Sequence, residues 1–421
     1  MILPALFLQL AIFTLAGISA VGAQQPGPGP TPNQVAQVSD VLQQIASQSW
    51  ELGTETEALL EYDWPALSVF GSSAIPPPFQ LNSTLNASNV FAITQRVIQA
   101  RNGTLMTFIS DGAVGDPASL GVAMLLANWT NSTGGNYGEA SQQELSFLLN
   151  WAPRNKDGAI SHRSEQVQLW SDFIYMVPPY LAYYGAMRPY KSLMDAAYLQ
   201  CKFYRNNLID KKKRLWKHVV MGSWEDTGFW ATGNGWAAMG MLRVIRTFQI
   251  SPFASQLVSE GNDMISWVEE IVNATYRHQT DDGTFHNYID QTDTFTDSSA
   301  TALLAAVVYR LVPLLPRAAA HVPAADKARA AIAANINGDG YLTNVVDPNN
   351  FGSQGETSPE GQAFVLMMEA AYRDYVAWNA TGFASTRIVV TGKKCQLVKQ
   401  APDDSGFTKR TVKKHWRRIF S

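Results

Sequence analysis

From Asn33 to about Tyr375 the apolar and aromatic side chains recur at spacings of three and four, in segments punctuated by Gly, Pro, Asn and Asp. That period belongs to helices, and no persuasive strand series interrupts it. The spacing predicts helices near 33–62, 90–101, 117–128, 141–151, 166–184, 190–208, 234–249, 256–277, 297–315, 323–336 and 358–377. Asp116-Pro117 and Ser358-Pro359-Glu360 each place a capping side chain before a first-turn proline. Segments such as ALLAAVVYRLV and AFVLMMEAAY are apolar on most faces, so other helices must enclose them. Eleven or twelve helices of this kind call for two layers, which helical hairpins arranged as a toroid would supply. The fold class is all-α. With no strict repeat of fixed period, a closed toroid and an open solenoid both satisfy the pattern.

The two ends differ from this body. Residues Ile2 to Ala20 are apolar and run into Val21-Gly22-Ala23, after which QQPGPGPTPNQ is polar and rich in Pro and Gly. This reads as a signal peptide over 1–23, a linker over 24–33 and a folded domain over 34–382. The chain is then expected to be secreted, with no stable membrane insertion after cleavage. Seven Asn-x-Ser/Thr sequons, at Asn82, Asn86, Asn102, Asn128, Asn131, Asn273 and Asn379, suit a secreted glycoprotein, and the cluster from Asn82 to Asn131 predicts exposed loops. Cys201 and Cys395 are too few for a disulfide framework. Residues 383–421 hold ten Lys/Arg against two Asp, a local charge of +8 within a total of −3, so the remainder carries −11. That tail reads as a disordered basic extension, and the acidic body argues against a nucleic-acid partner.

Within QVQLWSDFIYMVPPYL one aspartate, Asp172, sits in an apolar run that two prolines follow. An unpartnered buried carboxylate costs several kcal/mol or takes up a proton, so such a residue is usually paired or used. On a helix through Asp172 its neighbours one turn away are Gln168, Leu169, Tyr175 and Met176. Such a face raises a carboxyl pKa, as a general acid near neutral pH requires. Pro178 and Pro179 should end or kink this helix within two turns. A role in capping or charge-balancing the helix is the alternative.

A second constellation, RLWKHVVMGSWEDTGFWATGNGWAAMGMLRVI, holds His218, Trp224, Trp230 and Trp236, with a Gly-Asn-Gly-Trp turn around Asn234 leading into a helix. The indoles could stack on sugar rings or simply be core. His162 lies ten residues before Asp172.

HRSEQVQLWSDFIYMVPPYLAYYG, WATGNGWAAMGML, DSSATALLAAVVYRL and SPEGQAF occur here in the order found in the six-hairpin glycosidases of glycoside hydrolase families 105 and 88, which the chain resembles from about residue 50 to 378. Secreted fungal members of family 105 look most similar. The resemblance implies an (α/α)6 barrel and the activity of an unsaturated rhamnogalacturonyl hydrolase, with an oligosaccharide as partner and no cofactor. Asp172 matches the aspartate that protonates C4 of the enol ether and activates water for attack at C5. Asp116 matches a second, substrate-contacting aspartate. His162, Gln168, His218, Asn234 and Trp236 are expected to hold the sugar.

One position departs from the family pattern. Many bacterial members carry arginine where this chain has Thr232, which leaves recognition of the substrate carboxylate unassigned. A non-catalytic carbohydrate-binding wall protein is therefore a competing reading. Another is a six-hairpin glycosidase on saturated chains, for which Asp281-Asp282 would supply a second carboxylate; before Gly283 that pair reads better as a turn. Six histidines and two cysteines show no metal spacing, so no metal is expected. The chain is expected to act as a monomer.

Overall fold

The computed structural model describes residues 28–381 apart from 72–73, 104 and 131–133. The expected leader 1–23, residues 24–27 of the expected linker, Asn131, Cys395 and the basic tail lie outside the described residues. Twelve α-helices are present among those described: α1 (Pro32–Ile45), α2 (Ser49–Tyr62), α3 (Ser88–Ala100), α4 (Gly121–Thr130), α5 (Tyr137–Asn150), α6 (Phe173–Met187), α7 (Lys191–Leu208), α8 (Ala231–Ile250), α9 (Val258–Thr275), α10 (Ser298–Leu311), α11 (Val322–Asn335) and α12 (Pro359–Ala380). A 3-10 turn, Asp116–Leu120, leads directly into α4. Four short strands form two antiparallel pairs. They are β1 (Leu169–Trp170) with β2 (Val219–Val220), and β3 (Val345–Asp347) with β4 (Asn350–Gly355).

Even-numbered helices form an inner ring. Each of α2, α4 with its 3-10 turn, α6, α8, α10 and α12 packs on the next, and α12 returns to α2. Outside this ring α3 and α5 pack on α4, α7 on α6, α9 on α8, α11 on α10, and α1 on α12. The ring is closed, so the architecture is the six-hairpin toroid. Composition explains the layering, because every residue of α6 and α10 is buried whereas α1 and α9 bury one stripe each. An outer helix precedes each inner one and brings the chain back between successive inner helices. All six inner helices therefore run the same way, and their N termini surround one mouth.

Ion pairs tie the ring together inside. Arg243 of α8 bonds Glu57 and Glu61 of α2, and Arg310 of α10 bonds Glu61, at 2.7 Å, and Asp374 of α12. Because α2 and α8 stand on opposite sides of the ring, the buried Arg243 pairs cross its axis. Removing one partner would strand a charge, a change that typically costs ~3–5 kcal/mol.

Four sequence-based expectations differ from the structure. The segment 33–62 is two helices, because Glu51 Oε2 accepts the backbone N–H groups of Ser47 (2.8 Å) and Gln48 (2.9 Å) and starts a new helix there. The segment 166–184 is β1 followed by α6, and α6 does not end at its prolines. Pro178 lacks the N–H that would bond the Ile174 carbonyl, and Gly240 of α8 packs against that oxygen so closely that a Cβ would lie 2.1 Å from it. Residues 233–236 are the first turns of α8, not a turn before it. Gly233 and Gly235 allow close packing there, since added Cβ atoms would lie 2.3 Å from Ser171 Oγ and 2.7 Å from Leu303 Cδ2. Finally, Asn82, Asn86 and Asn102 lie in loops, whereas Asn128 is half-buried on α4. No helix among the described residues is long and apolar enough to cross a membrane.

Candidate active site

The mouth is lined by long connections that run from outer to inner helices, and they bring together two Asp–His pairs. Asp172 is the last residue before α6, not a mid-helix residue, and its backbone is fixed by Ser171 N–H donating to the His218 carbonyl at 2.9 Å. The β1–β2 pairing thus sets His218 beside Asp172, with Nε2 3.6 Å from Oδ2. On its other side His218 Nδ1 lies 2.9 Å from Asp226 Oδ2, which also accepts the Tyr288 hydroxyl at 2.6 Å. Asp226 reaches His218 because Val219 and Asp226 exchange both backbone hydrogen bonds across a turn.

Asp116, at the start of the 3-10 turn, forms the second pair. Its Oδ1 lies 3.3 Å from His162 Nε2. Between the two pairs stands the indole of Trp170, stacked on His162 (5.0 Å between centroids, 23° between planes) and edge-on to His218 at 5.4 Å.

The two carboxyls have opposite protonation tendencies. Burial, reinforced by the Asp111 and Asp172 charges and opposed by Arg163, pushes Asp116 well above the ordinary carboxylate range. Burial also pushes His162 down to about 4, so this pair is an acid beside a neutral imidazole. Asp172 differs from the sequence-based expectation of a raised pKa. Burial does push it up, but the His218 imidazole beside it, with His162 beyond, outweighs burial and holds it below its usual value. His218 moves the opposite way, since Asp172 and Asp226 overcome the burial that would lower it. The N terminus of α6 also favours the Asp172 anion.

The other expected sugar-holding residues sit behind this first layer. Gln168 is fully buried; its Nε2 donates to the Trp224 carbonyl at 2.8 Å and its Oε1 accepts from Trp170 Nε1 at 2.9 Å. Asn234 is spent on backbone, bonding Trp216 N–H and the carbonyls of Trp216 and Trp230, each at 2.9 Å. Trp236 is 2% exposed and packs on Tyr175 and Phe364. Asn234 and Trp236 are thus placed as supports for the mouth, because their polar groups and ring faces are already occupied. Asp282 Oδ1 accepts from Thr284 N–H at 3.0 Å in a turn where Gly283 has φ +96°, so the Asp281-Asp282 pair belongs to that turn. Among the described residues, no three His, Cys, Asp or Glu side chains gather as a metal site.

Residues 114–372 match the family described as Glycosyl Hydrolase Family 88. The chain belongs to glycosyl hydrolase family 88. It is 22% identical over 222 residues to the unsaturated rhamnogalacturonyl hydrolase YesR of Bacillus subtilis, a match spanning 50% of this chain and 60% of that protein's length. Its fold is that of a possible family 105 member from Salmonella enterica (TM-score 0.67, 17% identity, 82% of this chain and 93% of the other). A possible family 105 member from Klebsiella pneumoniae is similar too (TM-score 0.65, 17% identity, 87% and 100%).

This family 88 site contains residues that the sequence did not single out. Phe351 of β4 lies 4.4 Å from the His218 ring and about parallel to Trp224, held by Asn287 Nδ2 donating to its carbonyl at 2.8 Å. With Trp170 and Trp230 it makes an aromatic wall around the pairs. Trp224 is 42% exposed, unlike Trp230 and Trp236. No local signal marks Phe351, which reaches the site from 133 positions beyond His218. Asp226 carried a weak signal, an acid in a turn eight residues after His218.

Proposed function

We propose that the protein is a secreted glycoside hydrolase that removes a Δ4,5-unsaturated uronyl residue from the end of rhamnogalacturonan-type pectin oligosaccharides. The observation that carries this is Asp172 at 3.6 Å from a fully buried His218, at the mouth of a family 88 toroid. The name of the Bacillus subtilis relative supports the sugar class, and the apolar leader and the sequons support secretion.

The chemistry is hydration of an enol ether. A proton is delivered to C4, water adds at C5 and gives up one proton, and the hemiketal opens to release the neighbouring sugar. Asp172 serves both transfers, and the proton it needs rests on the His218 pair in the free enzyme. When the substrate's own carboxylate is buried beside Asp172, like charges raise the Asp172 pKa and draw the proton onto it. Asp116, protonated, is placed to donate a hydrogen bond to an anionic sugar without adding a second negative charge. This matters because Thr232 cannot supply the cation that an arginine would.

The test follows the absorbance of the conjugated C=C–carboxylate with unsaturated rhamnogalacturonan, galacturonan and glucuronan fragments. Wild type should bleach the rhamnogalacturonan product and Asp172→Asn should not. Equal, unchanged absorbance for both proteins on all three substrates would sink the proposal.

A further inference from the structure

The Asp226 carboxylate is held by three donors. Its Oδ2 accepts from Tyr288 and faces His218 Nδ1, and its Oδ1 accepts from Gly228 N–H at 3.0 Å. An ionised carboxylate can only accept, so the hydrogen between Asp226 and His218 must sit on Nδ1. This leaves Nε2, which is buried and makes no hydrogen bond to any other described residue, facing Asp172 Oδ2. A bare nitrogen lone pair 3.6 Å from an ionised carboxylate would leave two acceptors facing each other with no proton between them. A proton in that gap, on Nε2 or on Asp172, relieves this.

We propose that Asp226, oriented by Tyr288, is a positioning residue that fixes the His218 tautomer and thereby makes the Asp172–His218 gap a one-proton store. The inference rests on the reading of Asp172 as the proton-transfer group and supplies the origin of its proton. Without Asp226, neutral His218 could place its single hydrogen on Nε2 and satisfy the Asp172 anion, and no extra proton would be held. The groups around His218 agree with this. Asp172 at the start of α6 and Asp226 on the neighbouring turn face it directly, His162 and Asp116 lie beyond Trp170, and the remaining faces are Trp170, Trp230 and Phe351. The raised pKa of His218 accords with the geometry.

Two measurements test it. In the wild-type protein without substrate, two-bond proton–nitrogen NMR should show His218 with Nδ1 protonated at pH 7, and with both nitrogens protonated or Nε2 hydrogen-bonded to a protonated Asp172. A neutral His218 carrying its hydrogen on Nε2 overturns the proposal, whatever the substrate. In Asp226→Asn the amide can donate to Nδ1, so His218 should become neutral with its hydrogen on Nε2. Turnover should fall ~10²-fold, KM should stay within a factor of about two, and the alkaline limb of the rate profile should move down by about one pH unit or more. A well-folded Asp226→Asn that keeps wild-type turnover and profile overturns the proposal. Tyr288→Phe keeps the charge, so it should lose activity without moving that limb downward. If the NMR result is as expected but no unsaturated uronide is consumed, the proton store stands and the assigned reaction fails.

Discussion

Thr232 donates its hydroxyl to Asp297 Oδ2 at 2.8 Å, and both side chains are fully buried. Asp297 caps α10, accepting from Ser299 N–H (2.8 Å) and Ala300 N–H (3.2 Å), and also takes Val346 N–H (3.1 Å) at the base of the β3–β4 hairpin. Thr232 is therefore part of a structural bond between two inner helices and the hairpin that bears Phe351. Thr232→Val keeps the shape and removes the donor. It should cost about 1–3 kcal/mol of stability, seen as a lower melting temperature, while activity per folded molecule is retained. A large loss of turnover at unchanged melting temperature would place Thr232 in the chemistry instead.

Asp172→Asn preserves volume but cannot exchange a proton. Turnover on an unsaturated disaccharide should fall by ~10²–10⁴, with a much smaller change in substrate affinity. The free-enzyme proton rests with His218, so wild-type activity should decline on the alkaline side as that pair deprotonates, and the decline should lie above the ordinary histidine pKa. A destabilised but fully active variant would remove Asp172 from the mechanism.

Glu360, in the first turn of α12, is buried with Oε2 unpartnered, and burial together with the Glu51 charge pushes it up to about 8. Its folded pKa exceeds its unfolded value, so the folded state binds the extra proton between them and stability falls as pH rises from about 4.5 to about 8. Glu360→Gln cannot ionise. The melting temperature of the variant relative to wild type should therefore rise between pH 5 and pH 8, whereas a constant difference would mean that Glu360 is not protonated in the folded state.

Trp224 and Trp236 should respond in opposite ways. Trp224 is exposed beside Phe351, so Trp224→Ala should raise KM with little effect on melting temperature. Trp236 is packed between Tyr175 and Phe364, and Trp236→Ala should cost ~3–5 kcal/mol, read by denaturant unfolding. The same loss of stability in both variants would mean that Trp224 is core as well.

Helical periodicity located most of the elements. α7 runs from Lys191 to Leu208 against an expected 190–208, and α11 from Val322 to Asn335 against 323–336, because burying one apolar stripe at a time leaves a local signature. Where a single side chain decided the outcome, that signature failed. Glu51 broke the first helix by capturing two backbone N–H groups, and Gly240 let α6 continue past Pro178 by packing against a freed carbonyl.

The sequence by itself determined a mainly helical body with inner helices apolar on most faces, such as α6 and α10, and, through its motifs, Asp172, Asp116, His162 and His218 as candidate site residues. Only the tertiary structure decided that the ring closes, since the contact of α12 with α2 joins segments some three hundred positions apart and no local period encodes it. Tertiary structure also decided the charges. In sequence Asp172 has apolar neighbours and reads as a raised acid; in space it faces His218, which Asp226 and Tyr288 hold in place, while Asp116 becomes the acid with the raised pKa. A carboxyl's ionisation depends on charges and donors within a few ångströms, and those neighbours are assembled by folding from five separate stretches of chain.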